Sequence, residues 1–76
     1  MLDTLDKKIL TELQKDARIS NTELARRVSL SPPATLTRVK RLEKDGFIKN
    51  YAAIINRQKA GYDLLCYISV SLQLHD

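Results

Sequence analysis

Basic side chains gathered in the middle of the chain carry the clearest chemical signal. The sequence has 76 residues and a net charge of +4, and the whole excess lies in residues 20–50, where seven basic residues accompany three acidic ones. Ammonium and guanidinium groups bind phosphates, and guanidinium groups also pair with guanine edges. The seven are Arg26, Arg27, Arg38, Lys40, Arg41, Lys44 and Lys49. Their clustering between neutral flanks predicts an anionic partner.

The two prolines of the chain stand side by side just before most of these basic residues, in the stretch SLSPPATLTR at 29–38. Proline lacks an N–H, which matters least in the first turn of a helix, where the N–H groups have no intrahelical partner. The pair therefore predicts a helix that begins at Pro32 with Ser31 as its N-cap. Gly46 is placed to end this helix in a left-handed conformation, so we expect it to span residues 32–45.

The two sides of this helix differ in chemistry. At 100° per residue, Leu36, Val39 and Leu42 form an apolar stripe that is predicted to face the core. Small residues followed by arginines occupy the opposite arc, which consists of Ala34, Thr37, Arg38, Arg41 and Asp45, with Pro33 and Lys44 towards one edge. That order suits a recognition helix, because small residues at its start allow close approach to base edges while arginines reach guanine or phosphate.

Two further helices are predicted in front of it. Apolar residues recur at helical spacing over about residues 4–16. Ser20 and Glu23 then form an S-x-x-E capping box, with Ile19 and Leu24 at the hydrophobic staple positions, and the second helix ends near Val28. Two short helices joined by about three residues, behind a longer one, have the layout of a helix-turn-helix.

The pattern changes after Gly46. Residues 48–56 are predicted to be extended, residues 57–63 to form a turn at Gly61, and residues 65–74 alternate apolar and polar side chains, as a strand does. The predicted fold is mainly α, a three-helix, winged-helix-like helix-turn-helix domain followed by one or two β-strands. We divide it into the helix-turn-helix domain at 1–50, a linker at 51–63 and a first strand of a further domain at 64–76.

Several segments resemble the N-terminal domain of the Lrp/AsnC transcription regulators: LDKKIL at 5–10, ISNTELARRV at 19–28, LSP at 30–32, RVKRLE at 38–43 and GFI at 46–48. The resemblance implies a helix-turn-helix motif from about residue 21 to 40, in which Arg38 matches the arginine usual in the family. Many members have glycine where this chain has Ser29, which implies a strained turn if that residue has a positive φ. Cysteine is frequent in the family where this chain has Ala34 and Thr35, so the preferred operator cannot be copied from a relative.

We expect this surface to bind double-stranded DNA, with Arg38 and Arg41 on bases or phosphates and Ser31 and Thr37 as polar positioners. Phosphate is expected to be attracted by Lys40, Lys44 and Arg27. The predicted DNA-binding residues are Ser31, Pro33, Ala34, Thr35, Thr37, Arg38, Lys40, Arg41 and Lys44. The residues predicted to support the helix-turn-helix are Ser20, Asn21, Glu23 and Arg27.

Other classes of function are disfavoured. His75 is one residue from the C-terminus, a poor place for a catalytic base, and Cys66 lies in the alternating run, where a buried strand residue is expected. The chain has two glycines and lacks a phosphate-binding glycine loop. We therefore predict no enzyme activity, no catalytic residue, no cofactor and no metal. A single cysteine and the lack of a long apolar run predict a cytoplasmic protein that does not bind membranes.

An apolar strand needs sheet partners, which predicts a homodimer that pairs through the C-terminal strands. The resemblance implies a second, ferredoxin-like domain that binds amino-acid effectors, so an amino-acid effector is expected only if that domain is present. We expect the chain to be either a fragment or a naturally short relative. A protein-interaction module on the same scaffold, or a dimerising modulator of full-length relatives, remains the alternative.

Overall fold

The computed structural model describes the backbone of residues 1–74 and the side chains of residues 1–71. Four helices follow one another: α1 over Thr4–Lys15, α2 over Asn21–Val28, α3 over Pro32–Lys44 and α4 over Arg57–Leu74. The first three pack together, and α2 and α3 form the helix-turn-helix pair. The mainly helical, winged-helix-like fold expected from the sequence is therefore confirmed.

Side chains at their starts fix where the first three helices begin. Asp3 caps α1, and a reciprocal capping box joins it to Asp6: the Asp6 N–H donates to the Asp3 carboxylate at 2.8 Å, and the Asp3 N–H donates to the Asp6 carboxylate at 3.2 Å. Ser31 caps α3 and accepts from the Ala34 N–H at 3.3 Å, with both prolines in the first turn. The start of α3 was thus predicted correctly.

Only one of the two hydrogen bonds of the capping box predicted for α2 is formed. The Ser20 hydroxyl accepts from the Glu23 N–H at 3.1 Å, as expected. The Glu23 carboxylate does not return to the Ser20 backbone, because it accepts hydrogen bonds from Arg26 and Arg27 instead. Charged donors one turn along the same helix outcompete a single backbone amide for this carboxylate.

Residues in the left-handed region end both helices of the motif. Ser29 has φ 58° and ψ 43°, and the Leu30 N–H donates to the Ala25 carbonyl at 3.0 Å. Gly46 has φ 83°, and the Phe47 N–H donates to the Leu42 carbonyl at 3.0 Å. Both are Schellman-type ends, which satisfy orphan carbonyls and turn the chain sharply. The position of Gly46 was predicted, and the positive φ suspected at Ser29 is confirmed.

A small core lies where the three helices meet. Ile9 of α1, Leu24 and Val28 of α2 and Leu42 of α3 are buried together. Partly buried apolar side chains surround them, namely Leu2, Leu10, Leu13, Ile19, Leu30, Val39 and Ile48. Each of the three helices thus contributes at least one buried anchor, so α3 is held by both of the others.

The strand predicted over residues 65–74 is wrong for the residues the structure describes, because Arg57–Leu74 forms helix α4. Asn56 starts this helix, since its side-chain oxygen accepts from the Lys59 N–H at 3.2 Å. A strand leaves its backbone groups unpaired without neighbours, whereas a helix satisfies them internally. Gly61, predicted in a turn, lies inside α4, and residues 49–56 before it have no regular secondary structure.

Helix α4 makes no packing contact with α1, α2 or α3 in the described part of the chain. The radius of gyration is 17.1 Å, whereas a compact chain of this length has about 11 Å, so α4 projects from the three-helix unit. Across the described residues, no helix combines the length and the apolar character needed to cross a membrane. The predictions made for His75 and Asp76 lie outside the described residues.

Candidate nucleic-acid interface

Helix α3 is turned differently from the prediction. Its buried side chains are Thr35 and Leu42, with Val39 and Arg38 partly buried beside them. Leu36, predicted to face the core, is 43% exposed. Thr35 replaces it because the Thr35 hydroxyl donates to the Ser31 carbonyl at 3.0 Å, which satisfies its polar group and leaves its methyl to pack. The core-facing row is therefore 35, 38, 39 and 42.

The outward face of α3 follows from this orientation. Pro33, Thr37, Lys40 and Lys44 lie at helical spacing opposite the buried row, and all four are exposed. Ala34 and Arg41 are exposed along one edge of the same face. We call Pro33, Ala34, Thr37, Lys40, Arg41 and Lys44 the outer face. It begins with small residues and continues with cations, but it contains Lys40 in place of Arg38, which was predicted to face outward and is partly buried.

The two lysines of the outer face have unneutralised charges. Neither Lys40 nor Lys44 forms an ion pair with any residue the structure describes. The Thr37 hydroxyl donates to the Pro33 carbonyl at 3.0 Å, which leaves its lone pairs accessible at the surface. The outer face can therefore offer two free ammonium groups and a hydroxyl acceptor to a ligand.

Arg38 and Arg41 are, in contrast, already engaged. Arg38 Nη1 donates to both carboxylate oxygens of Asp3, at 2.7 and 2.9 Å, and to Asp6 Oδ1 at 3.1 Å. Arg41 Nη2 donates to Asp6 Oδ2 at 2.6 Å. The Arg38 guanidinium holds the pKa of Asp3 at about 2, well below its usual value, with help from the Asp6 backbone N–H. These pairs join the start of α1 to the middle of α3.

Burial separates the two acids of this group. The Asp6 side chain is 0% exposed, whereas that of Asp3 is 54% exposed. The Asp6 carboxylate accepts from three donors, which are the Asp3 N–H, Arg38 and Arg41. A buried carboxylate requires such full pairing, since an unpaired buried charge is costly. We call Asp3, Asp6, Arg38 and Arg41 the interhelix cluster.

Two of the four predicted support residues, Asn21 and Arg27, tie α2 to its neighbours, whereas Ser20 and Glu23 bond within α2. Asn21 Nδ2 donates to the Pro32 carbonyl at 2.9 Å and so ties the start of α2 to the first turn of α3. Arg27 Nη1 donates to Glu12 of α1 at 3.0 Å. Arg26 binds Glu23 through two nitrogens, which lowers the pKa of Glu23 to about 2. Pairing with these acids raises the pKa of both arginines.

Sequence reasoning missed the interhelix cluster and one other contact. No local pattern in the sequence reveals that Asp3 and Asp6 meet side chains more than thirty residues away along the chain. Tyr51 donates its hydroxyl to Glu43 at 2.7 Å and folds the segment after α3 back onto that helix. Burial and this hydrogen bond raise the pKa of Tyr51 to about 12.

The whole arrangement matches known DNA-binding domains. The family described as winged helix-turn-helix DNA-binding matches residues 2–49, which include α1, α2, the turn and all of α3. The chain belongs to this family. The Lrp/AsnC resemblance seen in the sequence is also confirmed by the relatives that follow.

The chain is 51% identical over 71 residues to the leucine-responsive regulatory proteins of Escherichia coli strain K12 and Salmonella typhimurium, and the match covers 93% of this chain. It spans 43% of the length of those relatives. Among solved structures, Bacillus subtilis LrpC superimposes with a TM-score of 0.77 at 44% identity, over 80% of this chain and 44% of LrpC. A Neisseria meningitidis transcriptional regulator in complex with L-Met gives 0.77 at 43% identity, over 79% and 39%.

Proposed function

We propose that this domain serves transcription regulation by binding specific double-stranded DNA, with α3 in the major groove and α2 bracing it against the backbone. The observation that carries this proposal is the outer face, where small residues precede two lysines that no described acid neutralises. A helix with that face fits the width of a major groove. The relatives that the chain matches are regulators, so an enzyme function has no support from the comparisons.

The burial of individual side chains suggests which of them contact bases, which attract phosphate and which support the position of α3. Ala34 and Thr37 are placed to approach base edges, with Ser31 and Pro33 at the end of α3 that enters first. Lys40 and Lys44 attract phosphate. Thr35 is buried and Arg38 is largely covered by Asp3 and Asp6, so both support the position of α3.

Salt dependence of binding tests this proposal. Fluorescence anisotropy of a labelled mixed-sequence duplex, titrated at several salt concentrations, should give a log–log slope that reflects several neutralised phosphates. Lys40→Ala/Lys44→Ala should lower the magnitude of that slope by about 2, because each lysine lost from a phosphate removes about one unit. Lys7→Ala/Lys8→Ala, which removes the same charge from exposed positions of α1, is the matched control. Equal effects of the two pairs would contradict a specific role for α3.

Dimer formation is a second proposal, carried by the C-terminal part of the chain. Large apolar side chains are exposed there, including Ile54, Tyr62, Leu65, Tyr67 and Val70. Exposed apolar side chains in such density mark an interaction surface, and a second copy of this chain would cover them symmetrically. Sedimentation at high protein concentration should therefore show a dimer, and Leu65→Lys should shift it towards monomer. A monomer at every concentration would overturn this proposal.

An amino-acid effector is proposed only for a protein that continues into a second domain. The Neisseria meningitidis relative was solved as a complex with L-Met, and this chain matches 39% of it. We also propose a cytoplasmic location, because the single cysteine of the chain suits a reducing compartment.

A further inference from the structure

The interhelix cluster raises the question of why a helix built to meet DNA should hold two of its arginines on carboxylates. Asp6 is fully buried and carries one negative charge into the contact between α1 and α3. Replacing a buried ion pair by apolar residues of similar volume is often neutral or stabilising, so stability alone is a weak explanation for a buried ion pair. A better explanation is that Asp6 controls the conformation of the arginine side chains that it binds.

The two arginines differ in what they can still do. The Arg38 side chain is 25% exposed and is held by two acids, whereas that of Arg41 is 50% exposed and is held by one. A guanidinium has five N–H donors in a rigid plane. Arg41 uses Nη2 on Asp6, and its other donors, which lie at the edge of the outer face, bond to no residue that the structure describes.

This geometry constrains the direction of Arg41. The hydrogen bond of 2.6 Å from Arg41 Nη2 to a buried carboxylate anchors one end of the guanidinium and reduces the number of rotamers open to the side chain. A free arginine would lose rotamer freedom when it bound a phosphate, and one already fixed loses less. Asp6 would therefore strengthen a phosphate contact that it does not itself make.

From this geometry we infer that Asp6 is a positioning residue for DNA binding, which fixes the guanidinium of Arg41 so that its remaining N–H groups meet a backbone phosphate beside the outer face. The inference rests on the proposed function, because it requires α3 to meet DNA. It places Asp6 of α1, outside the helix-turn-helix, in the DNA-binding apparatus.

Considered from charge alone, Asp6→Asn should change DNA affinity in the opposite direction to the one the inference requires. Asp6→Asn removes a negative charge close to the DNA-facing helix, so charge alone would tighten DNA binding. If Asp6 positions Arg41, the same change should weaken binding about tenfold, the worth of one hydrogen bond between charged groups. It should also lower the magnitude of the salt slope by about 0.9, the loss of one phosphate contact. A merely structural role would lower the melting temperature without changing the slope.

Asp3→Asn is the matched control. It removes the same negative charge from a residue that lies one helical turn from Asp6 and does not touch Arg41. Asparagine still caps a helix, and Arg38 keeps its bond to Asp6. Asp3→Asn should bind DNA at least as tightly as the unchanged chain, with the same salt slope. Arg41→Ala should reproduce Asp6→Asn, and the double variant Asp6→Asn/Arg41→Ala should bind no more weakly than Arg41→Ala alone.

Arg41→Lys tests the same idea without touching the buried acid, should Asp6→Asn fail to fold by circular dichroism. An ammonium keeps the charge but lacks the fork that spans Asp6 and a phosphate, so Arg41→Lys should lose most of the affinity that Arg41→Ala loses. Arg41→Lys binding like the unchanged chain, tighter binding by Asp6→Asn, or additive losses in the double variant would each overturn the inference. The proposed function fails separately, if Lys40→Ala/Lys44→Ala leaves the salt slope unchanged.

Discussion

Residues 1–48 and residues 51–71 are both rich in apolar side chains, but only the first region buries them. In the first, Ile9, Leu24, Val28 and Leu42 come together from three helices. In the second, no described side chain is buried, and α4 stands apart from the other helices. Apolar content thus becomes a core only where helix ends, turns and ion pairs bring complementary faces together. In the second region it leaves a surface that needs a partner.

The largest expected effect is a loss of folding stability when a buried leucine of the first region is truncated, compared with the same change at an exposed leucine of the second. Leu42→Ala should destabilise the three-helix unit by about 3 kcal/mol, because it leaves a cavity in a small core. Leu65→Ala should change stability by less than about 0.5 kcal/mol, since Leu65 is 68% exposed. Urea denaturation followed by circular dichroism, at concentrations where the chain is monomeric, measures both. A loss at Leu65 as large as that at Leu42 would show that the second region is packed after all.

A smaller effect, a gain in folding stability, is expected from a substitution in the turn that separates α2 from α3. Ser29 has φ 58°, a conformation that costs a side-chain-bearing residue about 1–2 kcal/mol and that glycine adopts freely. Ser29→Gly should therefore stabilise the first region by about 0.5 kcal/mol after the greater entropy of glycine in the unfolded chain is subtracted. Thermal unfolding measures this gain. Ser29→Ala, which keeps the steric cost, should give no gain, and equal melting temperatures for the two variants would argue against strain.

The smallest expected effect is a loss of folding stability at low pH, which arises from acidic residues of the first region only. The pKa values of Asp3 and Glu23 are lowered to about 2 by their arginine partners, from usual values of 3.8 and 4.5. A group with a lowered pKa stabilises the fold fully above its usual pKa, and this contribution is lost as pH falls from about 4.5 to 2. Asp3 is exposed and Glu23 is half-buried, so solvent reaches both groups and keeps the effect modest.

Stability measured against pH checks this last expectation. Asp3→Asn and Glu23→Gln should each flatten the decline of stability between pH 4.5 and 2. Asp63→Asn, an exposed acid of α4, is the control and should leave the curve unchanged. A curve that stays equally steep in both variants would show that these ion pairs do not contribute to stability.

The sequence predicted the features of the fold that depend on local chemistry. Ser31 and the prolines marked the start of α3, and Gly46 marked its end, because capping and left-handed turns depend on a few adjacent residues. Helical spacing placed Ala34, Thr37 and Arg41 outward, and all three are exposed, but it also placed Arg38 outward, which is partly buried. The three-helix arrangement followed from these local signals together.

The features that sequence missed depend on distant partners. Thr35 took the core position expected for Leu36, because its hydroxyl found the Ser31 carbonyl. Arg38 and Arg41 were expected to contact bases or phosphates, but Asp3 and Asp6 bind them across the contact between α1 and α3. The alternation in residues 65–74 predicted a strand, yet alternation favours a strand only where a sheet is present to receive it.

The most direct test of the central claim is to map which residues sense DNA. Backbone amide chemical shifts of the ¹⁵N-labelled chain would be followed as a DNA duplex is added. The largest changes should fall on residues 31–44, those of α3 and its cap, while residues 57–71 of α4 stay unchanged. Changes centred on α4, with α3 unaffected, would contradict the claim that the outer face of α3 binds DNA.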